Sequence, residues 1–204
     1  MIEKEKKHTL KGSPLWGLLI FGILFFVDMI TKILATVYFK AGIKPISIIP
    51  GYLELTLSHN EGMAFSMGAD WPTEGKIALV CGTGVVFIAL LVVYYVMDKR
   101  RSWLCNPLIF IVAGGVGNFV DRLLYLLGQL EGVRDMVRLK IFVFDFGVCN
   151  FADFFIVGGG IALMLGLLFF DGFAVWPLTK KYKAMAKEFE EKELAKQQAK
   201  QSKE

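Results

Sequence analysis

Two stretches in the second half of the chain set acidic and amide side chains at the ends of long apolar runs. They are Gly114-Gly115-Val116-Gly117-Asn118-Phe119-Val120-Asp121-Arg122 and Asn150-Phe151-Ala152-Asp153, with Asp135 between them. A charge near the centre of a bilayer costs from about 3 to more than 10 kcal/mol, so groups that persist there face a polar cavity and mark a site. Asn118, Asp121 and Arg122 fall at i, i+3 and i+4 and share one helical face. Asn150 and Asp153 stand at the start of an apolar run, where the helix dipole favours a carboxylate, so capping explains either residue as well as chemistry does. A lone loop Asp such as Asp135 is ordinarily just solvated. If Asp135 and Asp153 meet, however, repulsion raises one pKa while the other group stays ionised. One then activates water as a base and the other assists a carbonyl oxygen as an acid, which is peptide hydrolysis without metal or cofactor. Asp28 and Lys32 are also i, i+4, and an internal ion pair is the simpler reading of Asp28.

The elements that must carry these groups are membrane helices. The chain has 204 residues, 55% of them hydrophobic, and a mean hydropathy of +0.53, too apolar for an ordinary soluble domain. Runs over 15–39, 77–97, 103–127 and 150–170 are each long enough to cross a hydrocarbon core of about 30 Å. The second run contains no charged residue and the other three do. The expected fold class is an α-helical membrane protein, with four transmembrane helices, a small extracytoplasmic β-sheet and a short interfacial helix. Lys4, Lys6, Lys7 and Lys11, then Lys99, Arg100 and Arg101, then the Lys-rich tail all fall on one side of a four-span topology, which assigns both termini to the cytoplasm. The division that follows is a cytoplasmic segment over 1–14, a membrane domain over 15–171 with outer loops 40–76 and 128–149, and a charged tail over 172–204. Asp28 and Lys32 within the first run argue for a retained helix over a cleaved leader. Cys81, Cys105 and Cys149 show no ligand spacing, so neither a disulfide framework nor a metal site is expected. The net charge of +4 reads as topology and attraction to anionic lipid, with no nucleic-acid partner.

The loops have structure of their own. Residues 52–58 alternate, with Leu53, Leu55 and Leu57 on one face, and 141–146 alternate with Phe142, Phe144 and Phe146 on one face, so the two predict a paired roof over the helix ends. The mixed segment 129–140 reads as a short interfacial helix. Asn106-Pro107 reads as the cap and first-turn proline of the third helix. The glycines at 114, 115 and 117 let another helix approach closely.

Several separated motifs, in order, resemble the lipoprotein signal peptidases, also called signal peptidase II. Asp28 and Lys32 match the first-helix pair, and Asn60-Glu61-Gly62-Met63-Ala64-Phe65-Ser66 matches an Asn-x-Gly-x-Ala-Phe-Ser loop. Gly117, Asn118, Asp121 and Arg122 match Gly-Asn-x-x-Asp-Arg, the segment from Val133 to Asp135 matches Val-x-Asp, and that from Asn150 to Asp153 matches Asn-x-Ala-Asp. The resemblance implies that Asp135 and Asp153 are the catalytic pair. It implies that Asn60, Asn118, Arg122 and Asn150 hold substrate or order the site, and that Asp28, Lys32, Gly62 and Asp121 support it. His59 stands where Arg is usual, Cys149 where Phe is usual, Phe154 where Ser is common and Met136 where Phe follows the first Asp. Asp145, in Val143-Phe144-Asp145-Phe146, is the rival for Asp135, disfavoured because too few residues separate it from Asp153 to hold an intervening strand.

The family implies an aspartic endopeptidase of the bacterial inner membrane, monomeric and without cofactor. It cuts diacylglyceryl-modified prolipoproteins on the N-terminal side of the lipidated Cys, near the outer face of the bilayer. The competing reading from the residues alone is a small proton-coupled transporter, which would favour repeated units and helices broken at the midplane, and the sequence displays neither.

Overall fold

The computed structural model describes residues 14–39, 43–62, 67–97, 102–141 and 144–170, with 183–185, 187–188, 190–192 and 194–195 of the tail. The basic N-terminal segment, the loop residues Met63 to Ser66, the basic cluster at 99–101 and Phe142 lie outside the described residues. The element order is α1 (Pro14–Phe39), β1 (Ile46–Ile49), β2 (Leu53–Asn60), α2 (Thr73–Val96), α3 (Ser102–Leu126), β3 (Val133–Ile141), β4 (Phe144–Cys149) and α4 (Phe151–Phe169). All four helices are long and apolar enough to cross a membrane. α3 is the hub: 61% of its most apolar window is buried against 6–17% in the other three, so it alone is surrounded by protein while the others face lipid.

That central place follows from small residues. Gly114 lies against the carbonyl of Ala152, Gly115 against the Phe87 ring and Gly117 against the Asp28 carboxylate, so a Cβ at any of the three would collide. The close approach expected of these glycines is what brings α1 and α4 onto α3. Pro107 departs from expectation, because α3 begins at Ser102 and the proline lies inside the helix. It lacks the N–H that would bond the Trp103 carbonyl, and Gly166 of α4 packs close to that carbonyl.

The four strands form one antiparallel sheet in the order β1-β2-β3-β4. Two expectations are corrected here. Residues 133–141 form β3, not an interfacial helix, and β3 separates β2 from β4, so the two segments predicted to pair directly do not. The reason lies in the alternation of β3, which puts Val133, Asp135, Val137 and Leu139 on one face and Arg134, Met136, Arg138 and Lys140 on the other. Because Asp135 and Met136 exchange polarity within that pattern, the segment imitates an amphipathic helix. Gly132, at φ 155°, starts the strand against the Asn60 backbone, where a side chain would not fit. Ala35, Met136 and Val137 form a core with Leu53, Leu55 and Leu57, the apolar face expected of β2. A register irregularity between Leu55 and Ser58 leaves Ser58 opposite Asp135 and Asn60 opposite Val133.

Candidate active site

The site is built in two tiers where the sheet meets α1, α3 and α4. The lower tier is a fully buried charge cluster. Lys32 Nζ lies 2.8 Å from Asp28 Oδ2 and 3.5 Å from Asp121 Oδ2, with all three side chains inaccessible to solvent. The second oxygen of Asp28 accepts from the Ala152 backbone N–H at 2.9 Å, which joins α1 to the first turn of α4. Arg134, which the sequence reading passed over, donates to Asp121 from Nη2 at 2.6 Å, from Nε at 3.2 Å and from its own backbone N–H at 3.0 Å. Two carboxylates and two cations thus neutralise one another in the interior, where an unpaired charge would cost several kcal/mol. The internal ion pair read for Asp28 is what the structure shows.

Asn118 links this tier to the one above. Its Oδ1 accepts from Lys32 Nζ at 2.8 Å. An ammonium only donates, so the amide must present its oxygen to Lys32 and its Nδ2 upward. Nδ2 donates to Asp153 Oδ1 at 2.8 Å. Lys32 therefore sets the orientation of the amide that meets Asp153.

Asn150 does the corresponding work from α4. It caps the helix: its Oδ1 accepts from the Asp153 N–H at 3.1 Å while Asp153 Oδ2 accepts from the Asn150 N–H at 3.0 Å, a reciprocal box. Its Nδ2 then reaches Asp135 Oδ1 at 2.6 Å and Asn118 Oδ1 at 3.1 Å. One side chain thus caps α4 through its oxygen and joins Asp135 to Asn118 through its nitrogen. Asn150 is inaccessible and Asn118 nearly so.

Asp135 comes from β3 and is 4% exposed. Burial, then the charge of Asp153, pushes its carboxyl up to about 7, against the opposing pull of hydrogen bonds from Asn150 and Asn60 and the charge of Lys32. Asn60 ends β2, and its Oδ1 also accepts from the Gly62 N–H at 3.0 Å. The Gly62 carbonyl takes Arg122 Nη2 at 3.4 Å, and the guanidinium acts electrostatically on Asp153, Asp135 and Asp121. All ten residues singled out from the sequence converge on this one region.

Asp145 does not. It lies on β4, 43% exposed, paired with Arg138 at 3.1 Å and Lys140 at 3.4 Å, and its carboxyl is held below the usual range first by the Gly147 N–H and then by Arg138. The departures from the family pattern find local partners: His59 Nδ1 lies 3.4 Å from Glu131, and Met136 fills the core. The Cys149 Sγ donates to the Val137 carbonyl at 3.3 Å, and burial, then the nearby Asp153 and Asp135, pushes the thiol up to about 12. It is therefore protonated and inert as a nucleophile at neutral pH. Among the described residues no group of three or more His, Cys, Asp or Glu has the arrangement of a metal site.

Comparison with known proteins gives the same direction. The family model for signal peptidase (SPase) II matches residues 20–169. A lipoprotein signal peptidase of Staphylococcus carnosus is 30% identical over 144 residues, 70% of this chain and 84% of that one. One from Streptococcus pyogenes serotype M6 is 34% identical over 148 residues, 71% and 88% of the two chains. A bacterial membrane enzyme solved by the in meso method at 1.9 Å superposes with a TM-score of 0.64 at 25% identity, covering 79% of this chain and 98% of that one. With its spans, its sheet and this match together, the chain belongs to the signal peptidase II family, as a multi-pass membrane peptidase.

Proposed function

We propose that the chain is an aspartic endopeptidase that removes signal peptides from diacylglyceryl-modified prolipoproteins, cutting N-terminal to the lipidated Cys, with Asp135 and Asp153 as the catalytic pair. The observation that carries this reading is the shared amide frame. Asn150 holds Asp135 through its side chain and Asp153 through its backbone N–H, so one residue fixes both carboxylates. The elevated proton affinity of Asp135 supports its role as the protonated partner at neutral pH, with Asp153 as the base.

In this mechanism Asp153 takes a proton from water as the water oxygen bonds the scissile carbonyl carbon. Asp135 gives its proton to the carbonyl oxygen, which yields a neutral gem-diol. Collapse returns that proton to Asp135, breaks the C–N bond and passes the proton on Asp153 to the leaving amine, so both residues end as they began. Arg122 offers a fixed positive charge beside the developing oxyanion, and Asn60 and Asn118 hold the donors in place beforehand. The sheet roofs the site at the outer face of the inner membrane, so the acyl chains stay in lipid while the peptide reaches the carboxylates. The positive-inside bias supports cytoplasmic termini on either side of a peptidase domain over 15–171, with a charged tail over 172–204, and the family resemblance supports a monomer.

The test is cleavage of a diacylglyceryl prolipoprotein by the purified chain in detergent, beside Asp135→Asn and Asp153→Asn. Each variant is expected to lose activity by about 10³-fold or more while remaining folded. An Asp135→Asn variant that still cleaves would overturn the assignment.

A further inference from the structure

α2 supplies none of the amides or carboxylates of the site, yet its first turns are tied to it. Lys76 Nζ lies 2.9 Å from Glu61 Oε2 and donates to the Tyr125 hydroxyl at 2.8 Å, and that hydroxyl donates to the same Glu61 oxygen at 2.6 Å. The ammonium also stands 5.2 Å from the centre of the Tyr125 ring, within cation–π range. Every pair in the trio is in contact, and the triangle joins α2, α3 and the turn that follows β2. Glu61 is 49% exposed and Lys76 16%, so the trio adds little to global stability. Its importance is positional. Glu61 stands between Asn60, whose amide bonds Asp135, and Gly62, whose carbonyl takes Arg122. Tyr125 lies one helical turn beyond Arg122 on α3, so the trio and the Arg122 contact grip the same turn from the same helix.

From this geometry we infer that Lys76 and Tyr125 are positioning residues for Asn60. By fixing Glu61 they hold the Asn60-Glu61-Gly62 turn across the mouth of the site, with the Asn60 amide on Asp135. The inference deepens the proposed function and rests on its reading of Asp135 as the acid. Loosening the turn costs rate, because a small misplacement of an orienting group is amplified in the chemical step. It also removes a hydrogen bond that favours the ionised form of Asp135, so the proton is held to higher pH.

The experiment compares Tyr125→Phe and Lys76→Met with the parent full-length chain, each alone and in an Asn60→Ala background, using a diacylglyceryl prolipoprotein in detergent. kcat should fall about 10-fold with KM within threefold, and the alkaline limb of the kcat profile should move to higher pH. Lys76→Arg, which can still bridge Glu61 and Tyr125, should recover most of the loss. In the Asn60→Ala background the same substitutions should change kcat less than twofold, because the residue they position is gone. Variants within twofold of the parent, a change confined to KM, or an equal loss in the Asn60→Ala background would each overturn the inference. Should Tyr125→Phe fail to fold, Lys76→Met decides alone. An active Asp135→Asn control would remove the acid reading instead, leaving the dependence on Asn60 as the test of the turn.

Discussion

Asp121 and Asp145 are both carboxylates held by one arginine and one lysine, and they differ in nearly everything that follows from solvent. Asp121 is inaccessible, with Arg134 at 2.6 Å and Lys32 at 3.5 Å, beneath the amide frame of the site. Asp145 is 43% exposed, with Arg138 at 3.1 Å and Lys140 at 3.4 Å, at the far margin of the sheet. Water screens the second cluster and leaves it dispensable. In the first, every partner removed strands a charge in the interior. The two clusters teach that a list of ion pairs says little until burial is attached to it.

The sharpest way to break the comparison is Asp121→Asn, which leaves Lys32 and Arg134 short of a counter-charge. It should cost about 3–5 kcal/mol of stability, measured by denaturation in detergent, with activity falling alongside. A cost below about 1 kcal/mol would put Asp121 in the same class as Asp145.

An effect of comparable size, with the opposite sign at neutral pH, is expected at Asp135. Its folded pKa of about 7 lies above the reference value of 3.8, so between those values the folded chain binds more protons than the unfolded one. Stability therefore falls as pH rises through that window and levels off above pH 7, a change of up to about 4 kcal/mol. Asp135→Asn should remove this dependence and leave the inactive variant at least as stable as the parent at pH 8. A parent whose stability is flat from pH 4 to 7 would contradict the buried-acid description. The smallest effect belongs to Asp145→Asn, for which we expect little change in stability, reduced further by salt, and cleavage within twofold of the parent. A large loss of activity there would return Asp145 to contention.

The comparison also explains what could be read from the residues alone. The four spans and the polar positions within them were legible because lipid makes an exception out of each Asp, Asn or Lys, and Asp28, Lys32, Asn118 and Asp121 stand out for that reason. Arg134 was not legible, since its role depends on β3 being a strand and on that strand's fit against α3. β3 itself was obscured by Asp135 and Met136, whose polarities suit the site and the core and spoil the alternation. Pro107 misled for a related reason, as helix starts are read from local sequence while the fate of the Trp103 carbonyl depends on α4. The pairing of Asp135 with Asp153 rested on family resemblance, because a strand residue and a helix residue share no common periodicity.

The order of the strands has a consequence for how the protein comes into being. β1 and β2 belong to the connection between α1 and α2, whereas β3 and β4 belong to the connection between α3 and α4. During synthesis the first pair of helices leaves the ribosome with β2 still lacking its β3 neighbour. Asp135 arrives with the second half, and Asp153 and its cap only with the last helix. On the proposed assignment, a chain arrested anywhere before α4 carries at most one of the two carboxylates and so lacks the catalytic pair.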